Sequence, residues 1–226
     1  MSTQLRRPPA ADEEPLGLRE RKKRKTRLTI SEVATTMFIE RGFENVTVAE
    51  VAAAAGVSVN TVFNYFATKE ELFFDRGSEV AEAPSRIVRE RKRGESAVAA
   101  LRRSFRKAVK GDTTLLLARG IERFLATIEA SPALKARARL LFEESEHHLA
   151  ATLAEEAGAP PDDPTARAVA AMVIGVEWMI IQEFRRRILA GEPEDVVRAA
   201  LSKLGERSFD LLLAAAGDYC VRASDG

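Results

Sequence analysis

Two asparagines one helical turn apart, Asn60 and Asn64, are the residues of this chain best suited to sequence-specific hydrogen bonding. An asparagine amide presents a donor and an acceptor side by side, so it can pair with both polar groups on the exposed edge of an adenine. Val59 and Phe63 lie beside them and could contact the methyl group of a thymine. Because all four residues fall on the outer face of one short segment, that segment has the chemistry to read bases in duplex DNA.

Groups suited to phosphate oxygens flank this segment. Thr47 and Lys69 stand at predicted helix starts, and helix N-termini and lysines can bind phosphates without reading sequence. A basic run over 19–27 holds seven lysines and arginines against one glutamate. That run could follow the DNA backbone or enter the minor groove as a flexible arm, and the alternative is a solvated tail.

Capping residues and glycines predict where the helices that position these residues begin and end. A first helix is predicted to end at Gly42, and Val57 with Val62 and Phe66 should fix a later, short helix to a small core. The predicted capping residues are Thr47 with Glu50, Ser58, and Thr68 with Glu71. Two short helices joined at Gly56 make a helix-turn-helix, whose second helix enters the major groove.

The stretch 47–73, TVAEVAAAAGVSVNTVFNYFATKEELF, resembles the DNA-binding domain of the TetR-like (tetracycline-repressor-like) transcriptional regulators. The family landmarks in this sequence are Thr47, Val51-Ala52, Ala55-Gly56-Val57-Ser58, Thr61, Phe66, Lys69-Glu70 and Leu72. The resemblance covers about residues 24–76, including the preceding MFIERGFENVTV. It implies backbone contacts from Thr47, Ser58, Thr61, Tyr65 and Lys69, and base-facing positions for Val59, Asn60 and Asn64.

Two residues depart from the family pattern. Asn60 stands where a small residue is common, and Phe63 stands where a tyrosine is common. Phe63 has no hydroxyl to donate to a phosphate, whereas Tyr65 could supply one. We expect these departures to give a distinct operator preference.

The remaining sequence favours an all-α fold, because its long segments are rich in Ala, Leu, Arg and Glu and lack strand-like alternation. We predict a disordered tail over 1–18, a three-helix DNA-binding domain over 19–76, and a larger helical ligand-binding and dimerisation domain over 77–226. Helices are predicted near 69–92, 96–110, 113–130, 133–157, 164–189 and 194–216.

Composition narrows the class of protein. The formal net charge of +1 does not indicate an acidic partner, and a basic cluster over 86–110 is interpreted as a solvated face. The single cysteine, Cys220, cannot form an internal disulfide and is predicted to be incidental. No signal peptide is expected, and the most apolar run, 168–181, is predicted to be too short for a bilayer. We expect a cytoplasmic protein with no membrane partner and no cofactor.

The resemblance also implies a homodimer bound to a palindromic operator in double-stranded DNA. In TetR-like proteins the last two long helices pair across a twofold axis, and the apolar segment 164–189 fits that role. An apolar small-molecule effector is expected to bind among the middle helices. Its predicted lining is Phe105, Leu116, Phe124, Leu141, Phe142, Met172, Glu177 and Trp178. Ordinary core packing is the alternative for these residues, and for Glu177 it is pairing with an arginine across the interface.

The predicted function is therefore a ligand-responsive repressor released from its operator by its effector. The alternative is an all-helical ligand-binding or scaffold protein whose DNA-binding domain has degenerated. An enzyme is not expected, because the sequence has no nucleophile–base set, no glycine-rich phosphate loop and no plausible metal cluster. His147 and His148 each follow a glutamate by four residues, which could hold a metal, but solvation explains the polar stretch EESEHHL.

Overall fold

The computed structural model describes residues 17–111 and 120–223, which form helices joined by turns and contain no β-strand. The all-α prediction is therefore confirmed. The helices are α1 (Leu18–Arg41), α2 (Val48–Ala54), α3 (Val59–Phe63), α4 (Lys69–Phe73), α5 (Gly77–Arg89), α6 (Ala97–Lys110), α7 (Ile121–Ala130), α8 (Pro132–Ala157), α9 (Pro164–Leu189) and α10 (Glu194–Ala216).

The chain divides into two compact units. The first unit contains the described residues up to Gly77 together with those of 119–137, and so holds α1–α4, α7 and the start of α8. The second contains the described parts of 78–118 and 138–226. The grouping of α7 with the first unit has no counterpart in the domain boundaries expected from the sequence.

An aromatic cluster forms the core of the first unit. Ile30 and Phe38 lie on one face of α1 and are fully buried. The Phe38 ring lies 4.9 Å from that of Phe43 and 6.3 Å from that of Phe73. Phe73 also stacks on Phe124 of α7, with ring centroids 4.4 Å apart and planes 12° from parallel. These rings fix α4 against α1 and α7, since so short a helix has few residues of its own to bury.

One predicted helix, over 69–92, is wrong: the structure has two helices, α4 and α5, with a break at residues 74–76. Phe74 leaves the helical conformation, at φ −98° and ψ 52°, and places its ring edge-on to Phe73 at 5.2 Å. The Asp75 carbonyl accepts a hydrogen bond from the Arg27 guanidinium at 2.6 Å. The break between α4 and α5 thus coincides with tertiary contacts of Phe74 and Asp75. Such contacts cannot be predicted from the helical periodicity of the sequence.

The second unit is built around α9, which packs against α10. α9 has the length and hydropathy of a membrane-spanning helix, a property that the prediction from the shorter run 168–181 missed. One of its stripes nevertheless enters the core cluster, where Val173 joins Val88, Leu149 and Phe209 from three other helices. Within the apolar window of α9, 33% is buried inside the protein.

The chain beyond α10 folds back into the core of the second unit. Cys220 is 9% exposed and Arg91 is 2% exposed. The Arg91 guanidinium donates to the Cys220 carbonyl at 3.1 Å and to the Val88 carbonyl at 2.7 Å, and it forms an ion pair with Glu156. The interpretations of Cys220 as incidental and of 86–110 as a solvated face are therefore wrong at these two positions, because each residue buries the other.

Candidate nucleic-acid interface and effector region

The short helix α3 is anchored by its cap, by Val62, and by Phe66, which lies three residues beyond the helix end. The Ser58 hydroxyl accepts a hydrogen bond from the Thr61 backbone N–H at 3.0 Å and lies 2.8 Å from the Thr61 hydroxyl. Val62 and Phe66 are 0% and 1% exposed, respectively. The predicted cap is confirmed, and α3 is held by one face only.

The opposite face of α3 is free. Val59 and Phe63 are 40% and 50% exposed, although both are apolar. Asn60 and Asn64 are also exposed, and Tyr65 is half-buried just beyond the helix end. The structure thus brings the predicted base-facing residues onto one accessible surface, while their contacts with DNA stay a prediction.

The start of α2 carries the predicted capping box. The Thr47 hydroxyl accepts from the Glu50 N–H at 3.2 Å, and the Glu50 carboxylate accepts from the Thr47 N–H at 2.8 Å. The Arg41 guanidinium lies 2.6 Å from the same carboxylate and, with the Thr47 hydrogen bonds, lowers the pKa of Glu50 to about 2. Thr47 is exposed, but its N–H and its hydroxyl both donate to the Glu50 carboxylate, and its contact with a phosphate stays a prediction.

The start of α4 differs from the prediction in two details. The Thr68 hydroxyl accepts a hydrogen bond from the Glu71 N–H, as predicted. The Glu71 carboxylate, however, accepts from the Ala67 N–H at 2.8 Å, whereas a capping box requires the N–H of Thr68, one residue later. The Lys69 ammonium donates to the Phe43 carbonyl at 2.6 Å and lies 4.2 Å from the Phe43 ring centroid. Lys69 therefore has a structural role, and its contact with a phosphate stays a prediction.

The basic run is helical rather than a flexible arm, because α1 begins at Leu18. The prediction of a flexible arm is therefore wrong over 19–27. The tail predicted over 1–18 lies outside the described residues, apart from Gly17 and Leu18. The run also differs internally, since Arg27 at its end is half-buried while Arg21 is exposed.

The structure does not gather the predicted effector lining around one cavity among the described residues. Phe124 belongs to the aromatic core of the first unit. Phe105 lies against Phe209, with centroids 5.5 Å apart, and fills the space beside Gly205, where an added Cβ would meet its ring at 2.0 Å. Leu116 lies outside the described residues.

Three other predicted lining residues are close to one another in sequence or space. The Phe142 ring meets Trp178 edge-on at 4.7 Å, and the adjacent Leu141 is 8% exposed. Met172 is 39% exposed. A cleft of about 540 Å³ lies elsewhere in this unit and is lined by Val109, Lys110, Glu194, Asp195, Arg198, Ala199 and Ser202. The predicted lining therefore stays a prediction.

Glu177 is the exception on the core-facing side of α9. It shares a stripe with Val173, Ile180 and Phe184, which are all buried. Within the described ranges the Glu177 carboxylate has no ion-pair partner, and burial raises its pKa to about 7. A carboxylate in this position is suited to a hydrogen-bond donor or a cation brought by another molecule.

Glu177→Gln is expected to remove a pH dependence of stability. Because folding raises the Glu177 pKa from 4.5 to about 7, the native chain holds this proton more tightly than the unfolded chain. The wild-type free energy of unfolding should therefore fall as pH rises through that window, by about 1 kcal/mol for a partly exposed carboxyl. Urea unfolding at about pH 5 and about pH 8 measures the fall, which glutamine cannot show.

Glu183→Gln is the matched control. Its carboxylate lies on the same helix, but Arg186 and Arg187 lower its pKa to about 2, so it stays ionised across the same window. The control should keep the wild-type fall. An equal fall in the Glu177→Gln variant would contradict the assignment.

Comparison with known proteins identifies the family. Residues 30–75 match the family model described as bacterial regulatory proteins of the tetR family, and residues 95–208 match the MftR C-terminal domain. The HTH-type transcriptional regulator TcmR of Streptomyces glaucescens is 33% identical over 152 residues, which are 65% of this chain and 67% of TcmR.

Solved structures share the fold. A TetR-family transcriptional regulator from Mesorhizobium loti has a TM-score of 0.52 at 18% identity, with 86% of this chain and 98% of that chain covered. NalD, the secondary repressor of the MexAB-OprM multidrug efflux pump in Pseudomonas aeruginosa, has a TM-score of 0.51 at 18% identity, with 83% and 96% covered. The matched family consists of regulators rather than enzymes. We conclude that the chain belongs to the TetR family of DNA-binding transcriptional regulators.

Proposed function

We propose that this regulator represses transcription by placing the outer face of α3 in the major groove of a palindromic operator. The observation that carries the proposal is the exposure of Val59, Asn60, Phe63 and Asn64 on a helix whose other face is buried. Amides on this face supply bidentate donors and acceptors for adenine, and the apolar pair supplies contacts for thymine methyl groups. A degenerate DNA-binding domain would have no reason to keep this combination.

A homodimer would present two copies of α3 to the two half-sites. Met172, Gly175 and Met179 form an exposed stripe on α9, on the side opposite its buried stripe. Leu211 of α10 is 74% exposed. The exposed apolar side chains of Met172, Met179 and Leu211 support pairing of α9 and α10 with a second copy. The recognition helices of such a dimer meet half-sites about one DNA turn, roughly 34–36 Å, apart.

Release by a small effector would complete the switch. The edge-on pair of Phe142 and Trp178 favours an apolar or aromatic compound, and Glu177 can receive a cationic group of that compound or an arginine of the second copy. Effector binding would shift α4 and so alter the spacing of the recognition helices. A coupling free energy of about 1–3 kcal/mol would change operator affinity by about 5- to 150-fold. The regulator would act in the cytoplasm, where its DNA is found.

Selection from a pool of random DNA duplexes tests this proposal. The wild-type protein should enrich one palindromic sequence and bind it as two chains per duplex. Asn60→Asp combined with Asn64→Asp is the control, because it keeps the side-chain shape while adding negative charge that bases and phosphates repel. Enrichment of no sequence by the wild-type protein would favour the alternative, a ligand-binding or scaffold protein with a degenerate DNA-binding domain.

A further inference from the structure

Arg27 contacts the chain on both sides of α4, at Tyr65 just after the recognition helix α3 and at Asp75 just after α4. Its guanidinium donates one hydrogen bond to the Tyr65 carbonyl at 2.8 Å and another to the Asp75 carbonyl at 2.6 Å. The same group lies 4.2 Å from the centroid of the Phe66 ring. Although Arg27 belongs to a basic run by sequence, its charge is directed into the first unit.

Each of the two carbonyls lies two residues after the end of a helix. Tyr65 is the first residue after Asn64, the C-cap of α3, and carbonyls at a helix end have no partner within the helix. Asp75 lies in the break between α4 and α5. Arg27 therefore joins the end of the recognition helix to the point where the chain passes towards the second unit.

The geometry of the side chain matters for this link. A guanidinium is a rigid, planar fork whose N–H groups point in fixed directions, so it fixes the separation of the two carbonyls that it bonds. A lysine ammonium carries the same charge but has no such fork. The Phe66 ring adds a face for the guanidinium to stack on and is itself 1% exposed.

We infer that Arg27 is a positioning residue, which sets the angle at which α3 presents Asn60 and Asn64 to DNA. This inference rests on the proposed function, because it assumes that α3 reads an operator. Arg27 acts on base recognition through the Tyr65 carbonyl and the Phe66 ring. It does not act by neutralising a phosphate, since its charge is already used inside the unit.

Arg27→Lys tests the inference, with Arg123→Lys as the matched control. Both changes keep a positive charge in the first unit, but Arg123 is exposed on α7, outside the candidate DNA interface. Binding is measured by fluorescence anisotropy on the duplex selected by the wild-type protein and on a scrambled duplex, over a range of salt concentrations. Arg27→Lys should weaken operator binding about 10-fold, or about 1.4 kcal/mol, while its scrambled-duplex affinity and salt dependence stay unchanged. Arg123→Lys should change neither affinity.

Three results would overturn the inference. The first is an Arg27→Lys protein whose ratio of operator affinity to scrambled-duplex affinity equals that of the wild type at a temperature where the variant is folded. Arg27 would then only stabilise the fold, even if the variant had a lower unfolding temperature. The second is an equal loss on both duplexes in Arg27→Gln with a salt slope smaller by about one, which marks a phosphate contact. The third is the absence of any preference in the wild-type protein, which would reject the proposed function itself and is recognised without any variant.

Discussion

Arg91→Ala is expected to lower the free energy of unfolding by about 3 kcal/mol. The Arg91 side chain is almost fully buried, and the substitution removes the donor to the Cys220 carbonyl and the counter-charge of Glu156. It also leaves a cavity, because alanine is too small to replace the arginine stem that packs in the core. Three losses at one site explain why the effect should exceed that of an ordinary surface ion pair.

Chemical denaturation followed by tryptophan fluorescence measures this change. Trp178 is the only tryptophan of the chain and lies in the same unit as Arg91, so its signal reports the unit that the substitution affects. Lys92→Ala, at an exposed neighbouring position, should change stability by no more than about 0.5 kcal/mol. A loss below about 1 kcal/mol for Arg91→Ala would show that the buried network contributes little.

Asn64→Ala is expected to weaken binding to the selected operator about 30-fold, equivalent to about 2 kcal/mol. A bidentate amide contact is worth about 1–3 kcal/mol of discrimination, so the base opposite Asn64 should lose its preference in both half-sites. The fold should be unaffected, because Asn64 has φ −69° and ψ −17°, a conformation that alanine adopts readily. The salt dependence should also persist, since the phosphate contacts remain.

Repeating the DNA selection with Asn64→Ala measures the base preference directly. Asn45→Ala is the control, because it removes an exposed amide from the same unit but outside α3, and it should leave the selected sequence unchanged. If the Asn64→Ala protein selected the same sequence with the same stringency as the wild type, Asn64 would not be a base-reading residue.

The sequence was sufficient to predict those features that depend on residues close together in the chain. The Thr47–Glu50 capping box and the Ser58 cap lie as predicted, because each joins atoms three residues apart. The anchoring of α3 was also predictable, since Val62 and Phe66, the latter three residues beyond the helix end, are both apolar and buried. These local signals define the candidate DNA interface almost completely.

Features that depend on distant residues were not predictable in the same way. At the break after α4, Arg27 bonds to Asp75 across 48 residues, and the buried Arg91 bonds to Cys220 across 129 residues. One signal for Arg27 was present, however. It continues the buried stripe of Ile30 and Phe38 one turn earlier on α1, a position at which an arginine needs an internal partner. Because Arg27 stands in the basic run 19–27, the composition of that run suggested a solvent-exposed residue instead.

The distance between Arg91 and Cys220 has a consequence for synthesis of the chain. A ribosome makes proteins from the N-terminus, and domains fold as units once their residues have emerged. The first unit, which carries α3, contains no residue beyond 137, whereas Arg91 of the second unit bonds to Cys220. The DNA-reading unit can therefore close while the ribosome is still making the rest of the chain, and the second unit completes its core only after residue 220 has emerged.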